Sequence, residues 1–129
     1  MTEAVQSFLA AKTFAVAGAS TDRSKYGNMI FRRLIDTGHK TYPLNPKADL
    51  VEGHTAFAQL SDCPVPPEAL SIITPPAVTR GIVQDAILAG VKHLWMQPGA
   101  EDEQASADAR NAGLNVIDDG SCLLVLLAR

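Results

Sequence analysis

The sequence is short of several things, and each shortage removes a class of function. Its only cysteines, Cys63 and Cys122, lie far apart and form no Cys-x-x-Cys pair. That excludes a disulfide framework and zinc-ribbon spacing, and it suits reduced intracellular thiols. No apolar run approaches the ~20 residues of a membrane helix; the longest, 122–128, has seven. The opening MTEAVQSFLAAK lacks the basic lead and cleavage pattern of a signal peptide, so the cytoplasm is the expected compartment. Cations are outnumbered, 11 Lys and Arg against 14 Asp and Glu, for a net charge of −3. Such a balance leaves no electrostatic footprint for nucleic acid, although local positive charge can still hold a small anion. No Ser/His/Asp order, His/Cys metal spacing or carboxylate cluster stands out. His39, His54 and His93 fall at strand starts or in a turn, where a surface or hydrogen-bonded imidazole is the ordinary reading.

What is present is an alternation of strands and helices. At 129 residues, 47% hydrophobic and 19% charged, the chain reads as one domain with one sizeable core. Residues 2–11 form an amphipathic helix with Thr2 as its cap, and 13–17 a buried strand ending at Gly18. Residues 26–37 form a helix with Met29, Ile30, Leu34 and Ile35 on one face, stopped by Gly38. A second strand covers 39–44, where Pro43 argues for pairing on one side only or for an early end to the pairing. The stretch 48–69 is irregular, with a turn at Gly53-His54, one or two helical turns over Ala56–Leu60, a rigid linker over Cys63-Pro64-Val65-Pro66-Pro67 and no full crossover helix. A third strand at 69–74 stops at Pro75-Pro76, and the helix 77–89 places Val78, Ile82, Ala86 and Ala89 on one face. The strand 92–97 contains Trp95 and Met96 as core residues. The helix 101–112, the strand 114–117 and a helical tail 122–128, capped near Ser121 or Asp119, complete the chain. This order predicts an α/β fold: a Rossmann-like domain with a five-stranded, mainly parallel sheet and helices on both faces.

Ligands of such sheets sit at the carboxyl ends of the strands. The first tip, from Gly18 through Ala19, Ser20, Arg23, Ser24 and Lys25 to Tyr26 and Gly27, is a small polar loop opening a helix. Free first-turn amides and the helix dipole make that an anion site, helped here by two cations. Its two glycines are nine residues apart, which departs from G-x-G-x-x-G and weakens a dinucleotide reading. After the second strand, where dinucleotide folds hold ribose hydroxyls with an acid, stand Asn45, Pro46 and Lys47. A lysine there prefers a phosphorylated ribose, or is a solvated surface cation.

GASTDRSKYGN, the strand-end NPK, ITPP, WMQPG and a late cysteine, in this order, resemble the small stand-alone CoA-binding proteins. These are the single-domain relatives of the CoA-binding domain in succinyl-CoA synthetase alpha subunits. The resemblance covers roughly residues 5–125 and implies coenzyme A as ligand. It implies a diphosphate loop of Gly18, Ser20, Arg23, Ser24, Tyr26 and Gly27, with Ala19 and Lys25 between them. Asn45, Pro46 and Lys47 would lie beside the adenosine, Lys47 at its 3′-phosphate. Thr74, Pro75 and Pro76 would wall the adenine, and Gln97 and Gly99 would face the pantetheine arm. Cys122 corresponds to a cysteine the relatives carry near this point, but DDGSCLLVLL departs from their polar ending.

Three functions follow from these readings. The first is a CoA or acyl-CoA binder without chemistry of its own; the second, an NADP-dependent oxidoreductase or other nucleotide-using enzyme. The third is a regulatory module with a vestigial site. Cys122 is read either as a buried small hydrophobe or as a thiol able to form a mixed disulfide with CoA. At a helix N-terminus its thiolate is favoured, with Asp118 and Asp119 opposing. The apolar tail and edge strands suit a homodimer as well as packing within the chain.

Overall fold

Five short apolar strands form the sheet, and the computed structural model describes residues 1–128 of the chain. They are β1 (Thr13–Ala17), β2 (Lys40–Leu44), β5 (Ala69–Ile72), β6 (His93–Met96) and β7 (Asn115–Ile117). The sheet order is β2-β1-β5-β6-β7 and every pairing is parallel. Strand order therefore reverses between β1 and β5, which opens a crevice beyond their carboxyl ends.

Helices cover both faces, as a parallel sheet requires. On one side lie α1 (Glu3–Leu9), α2 (Tyr26–Asp36) and α5 (Leu123–Leu127), which bury Phe8, Ile30, Phe31, Leu34, Leu123 and Leu127 against Phe14, Val16 and Trp95. Phe8 meets Phe14 and Trp95 edge to face, at centroid distances of 5.5 and 5.2 Å, an arrangement that adds to plain area burial. On the other side α3 (Pro76–Ala89) and α4 (Glu103–Asn111) bury Val83, Ala86, Ala105 and Ala109 against Ala15, Ala17, Leu70, Ile72, Leu94 and Met96. Thr2 caps α1 through its hydroxyl, which accepts from the Val5 amide at 3.2 Å.

Pro43 sits in the edge strand β2, opposite Val16. Its carbonyl faces outward and accepts from the Phe57 amide at 3.0 Å. The missing N–H is therefore on the side that β1 does not use.

Three local expectations need correction. The stretch after β2 has no crossover helix and turns at Gly53, as expected, but its one helical turn is not over Ala56–Leu60. It holds a hairpin of β3 (Leu50–Val51) and β4 (His54–Thr55), then a 3-10 turn at Leu60–Asp62. The hairpin turn is Glu52-Gly53, with φ of 49° and 79°, the left-handed pair of a type I′ turn. In α3 the buried face is Thr79, Val83 and Ala86, whereas Val78 is 50% exposed. The tail helix is capped from a distance: the Leu123 amide donates to Gln97 Oε1 at 3.1 Å. Asp119 instead accepts from the Ser121 amide.

Candidate functional site

The first tip is built by close backbone packing. A Cβ on Gly18 would lie 2.1 Å from the Ile73 carbonyl oxygen, and one on Gly27 would lie 2.0 Å from the Gly18 carbonyl oxygen. The start of α2 therefore rests directly on the end of β1, and β1 on the segment after β5. This contact explains glycines nine residues apart: each removes a side chain from a backbone crossing.

Around that crossing the loop 19–25 is tied down by its own polar groups. Ser20 Oγ accepts from the Asp22 amide at 3.0 Å, and Asp22 Oδ1 accepts from the Ser24 amide and hydroxyl at 2.9 and 2.7 Å. The Ser24 hydroxyl, followed by its amide, holds the Asp22 carboxyl below the usual carboxylate range. Asn28, wholly buried, donates through Nδ2 to the Ser20 carbonyl at 2.9 Å and to Glu52 Oε2 at 3.0 Å. Its Oδ1 accepts from Arg32 Nε at 2.7 Å. Asn45 joins the second tip to the first, donating to the Ala19 carbonyl at 2.9 Å. Its Oδ1 accepts the amides of Lys47 and Ala48, an Asx turn that fixes the course of the chain after β2.

These ties leave the mouth of α2 open. No acidic residue lies in its first turn, and its N-cap, Lys25, makes no side-chain capping bond. The amides of Tyr26 and Gly27 have no partner among the described residues. Arg23 pairs with Glu52 at 3.4 Å, while Lys25 and Lys47 are exposed and form no ion pair among the described residues. Two unpartnered first-turn amides beside free cations can hold an anionic oxygen cluster.

From Gly18 a cleft of about 310 Å³ runs along α3. Ala17, Leu44, Pro46, Thr74, Val78 and Ile82 line it, with Gln59 and Asp85 as polar groups farther along. Its walls are mostly apolar, as small-molecule clefts generally are. The exposed Val78 and the half-buried Ile82 are thus the cleft side of α3, while Ala86 of the same expected stripe is buried in the core.

The remaining tips separate. Thr74 lines the apolar cleft, but Pro75 and Pro76 do not. Pro75 borders a shallower groove with Ile73, Thr74, Pro98, Gly99 and Ala100. The Thr74 hydroxyl lies 2.8 Å from that of Thr79, which accounts for a threonine in the buried face of α3. The Gly99 amide donates to Glu101 Oε1 at 2.7 Å. Gln97 is spent internally: buried, it accepts from Leu123 and donates through Nε2 to Cys122 Sγ at 2.8 Å. Cys122 is half-buried at the N-cap of α5. Neither Gln97 nor Cys122 lines the cleft that opens at Gly18. Asn28, Arg32 and Glu52, none of them singled out by sequence, buttress the loop. The signal available was an asparagine in the inward-facing first turn of α2.

Among the described residues no helix is long and apolar enough to cross a membrane.

Comparison with known proteins agrees with this geometry. An ADP-forming acetate–CoA ligase of Methanocaldococcus jannaschii is 31% identical over 81 residues, which is 63% of this chain and 12% of the relative. The chain thus spans about an eighth of the length of that curated relative. A conserved hypothetical protein from Pyrococcus furiosus superposes with a TM-score of 0.82 at 33% identity, covering 89% of this chain and 98% of that one. A hypothetical protein from Pyrococcus horikoshii gives a TM-score of 0.90 at 28% identity, covering 95% and 86%. A dinucleotide-forming acetyl-coenzyme A synthetase 1 of Ca. Korarchaeum cryptofilum, solved with phosphate and ADP, gives 0.74 at 30% identity, covering 84% of this chain and 26% of that chain. The family described as CoA binding domain matches residues 12–128, and the chain belongs to that family.

Proposed function

We propose that the protein binds coenzyme A, free or acylated, at the carboxyl ends of β1, β2 and β5, and contributes binding rather than chemistry. The observation that carries this reading is the pair of unpartnered amides on Tyr26 and Gly27, set where the apolar cleft opens at Gly18. A diphosphate seated on those amides, with Ser20, Arg23 and Lys25 around it, directs an attached nucleoside into the cleft walled by Leu44, Pro46, Thr74, Val78 and Ile82. Lys47 follows Pro46 in sequence, is exposed, and suits the 3′-phosphate that distinguishes CoA from NAD. The groove between Pro75 and Gly99 gives the pantetheine arm a course toward the later strands. Membership of the CoA binding domain family and the CoA-using names of the larger relatives support the same ligand.

Calorimetric titration with CoA, dephospho-CoA, NADP and NAD tests the reading. Saturable CoA binding that exceeds binding of both nicotinamide dinucleotides is expected. Preference for NADP, or no binding of CoA at millimolar concentration, overturns it. Lys47→Ala should weaken CoA by about 1.5–3 kcal/mol, the worth of one charge-assisted contact, while leaving dephospho-CoA nearly level. Equal losses for both ligands would remove Lys47 from the 3′-phosphate.

A further inference from the structure

Glu52 occupies an expensive position. It is the only non-glycine residue with positive φ among the described residues, at 49°, where a β-carbon is unfavourable and Asn or Gly is the usual choice. Strain of this kind persists where a side chain is held for a purpose or the surroundings over-determine it. The Glu52 side chain is 24% exposed and reaches from the β3–β4 hairpin back to Arg23 in the loop after β1 and to Asn28 of α2, the latter 24 residues away. There it takes two donors. Oε2 accepts from the buried Asn28 Nδ2 at 3.0 Å, and Oε1 lies 3.4 Å from Arg23 Nε.

The two contacts differ in kind. The first is a hydrogen bond to an amide whose other proton already holds the Ser20 carbonyl, so it is part of the scaffold. The second is a longer ion pair to a guanidinium on a side chain 67% exposed. A pair this exposed is weak and easily exchanged. A phosphate oxygen on the Tyr26 and Gly27 amides would offer Arg23 a more highly charged, bidentate partner. The Glu52 carboxylate would stay behind, pinned by Asn28, as a like charge facing the new anion.

We infer that Glu52 is a positioning residue of the diphosphate loop: its carboxylate stands in for the ligand's phosphate, holds Arg23 when no anion is bound, and competes for it when one is. This rests on the diphosphate reading of the loop given above. Glu52 therefore keeps Arg23 at the mouth of the site and lowers affinity for anionic ligands.

The test is a double-mutant cycle read by calorimetry with CoA. Glu52→Gln retains an oxygen for Asn28 Nδ2 and the strained turn but removes the charge, so the fold is kept. CoA should bind roughly threefold to tenfold more tightly to Glu52→Gln than to the unmodified protein, the size expected for one partly exposed like charge. In an Arg23→Ala background the same substitution should gain markedly less. A purely structural role would show weaker binding and an equal effect in both backgrounds. Unchanged or weakened binding in Glu52→Gln overturns the inference while leaving CoA binding itself intact. Absence of CoA binding to the unmodified protein overturns the reading on which it rests, and the two failures are therefore distinct. Glu52→Gly, which relieves the turn, separates strain from charge. It should also tighten CoA binding, and tighter binding in Glu52→Gly without any in Glu52→Gln overturns the charge argument.

Discussion

Gly27 and Gly18 meet backbone to backbone, and a Cβ on Gly27 would stand 2.0 Å from the Gly18 carbonyl oxygen. The neighbour is main chain, so no rotamer change relieves the clash. Gly27→Ala must push α2 away from β1, and overpacking of this kind costs about 1–3 kcal/mol or more. Gly81, in the interior of α3, has nothing within 4 Å of such an atom and lies on the exposed side. There alanine should stabilise by about 0.5–1 kcal/mol, because a helix interior penalises glycine. Urea unfolding of both variants checks the contrast. A Gly27→Ala protein as stable as the parent would mean that the crossing is not close.

His93 opens β6 and touches two structural elements. Its Nδ1 lies 3.1 Å from Asn115 Nδ2, which also donates to the Ala4 carbonyl at 2.9 Å. Because that nitrogen is a donor, His93 must accept at Nδ1 and carry its proton on Nε2. Burial lowers the imidazole below its ordinary value of 6.5; Glu68 acts the other way and Lys92 adds to the lowering. The folded state thus holds fewer protons than the unfolded chain just below pH 6.5. Stability should be full above that value and decline as pH falls through it toward the depressed folded value. Protonation at Nδ1 also sets two donors face to face and loosens α1 from β7. Melting temperatures of parent and His93→Gln between pH 7.5 and 5 read this directly. The parent should lose more than the variant in that window, which lies above the acid range in which Asp102 and Asp118, held low by Arg80 and Arg110, begin to titrate. Parallel curves would remove His93 from the acid response.

The legible parts of the sequence were those whose cause is local. Gly38, Gly90 and Gly113 end helices because each has a φ near 80°, and Pro76 opens α3 because its missing N–H costs nothing there. Strand-then-helix alternation was enough to give the parallel order and the crevice at Gly18. What failed depended on partners distant in the chain. Apolar spacing put Val78, Ile82, Ala86 and Ala89 on one face; in the fold Ala86 is core while Val78 and Ile82 line a cleft, and hydropathy cannot tell a core from a groove. Thr79 is buried because Thr74 satisfies its hydroxyl, which a polarity scale counts against burial. The turn at Gly53 was legible, but with two residues per strand and Glu52 in place of Asn or Gly the hairpin around it was not. Asn28, Arg32 and Glu52 read as ordinary helix and turn residues until the hairpin returns to α2.

Gln97 carries the last of these distant couplings, and its loss should be felt in the tail rather than at the first tip. Its Oε1 accepts the buried Leu123 amide at 3.1 Å and its Nε2 donates to Cys122 Sγ at 2.8 Å. Trp95 Nε1 adds a bond to the Ser121 carbonyl at 2.9 Å, so Trp95 of β6 and Gln97 just beyond it fasten the start of α5 at three successive residues. The two Gln97 bonds are unequal. Sulfur is a weak acceptor, and Cys122 is half-exposed, so water can replace it. The Leu123 amide has no such alternative, and a buried donor left without a partner costs about 1–3 kcal/mol. Gln97→Ala should therefore destabilise by that amount and raise hydrogen exchange across 121–128, whereas Cys122→Ala should cost less than about 1 kcal/mol. Equal losses in the two variants, or exchange in the tail unchanged by Gln97→Ala, would show that apolar packing of Leu123 and Leu127 holds α5 without the glutamine.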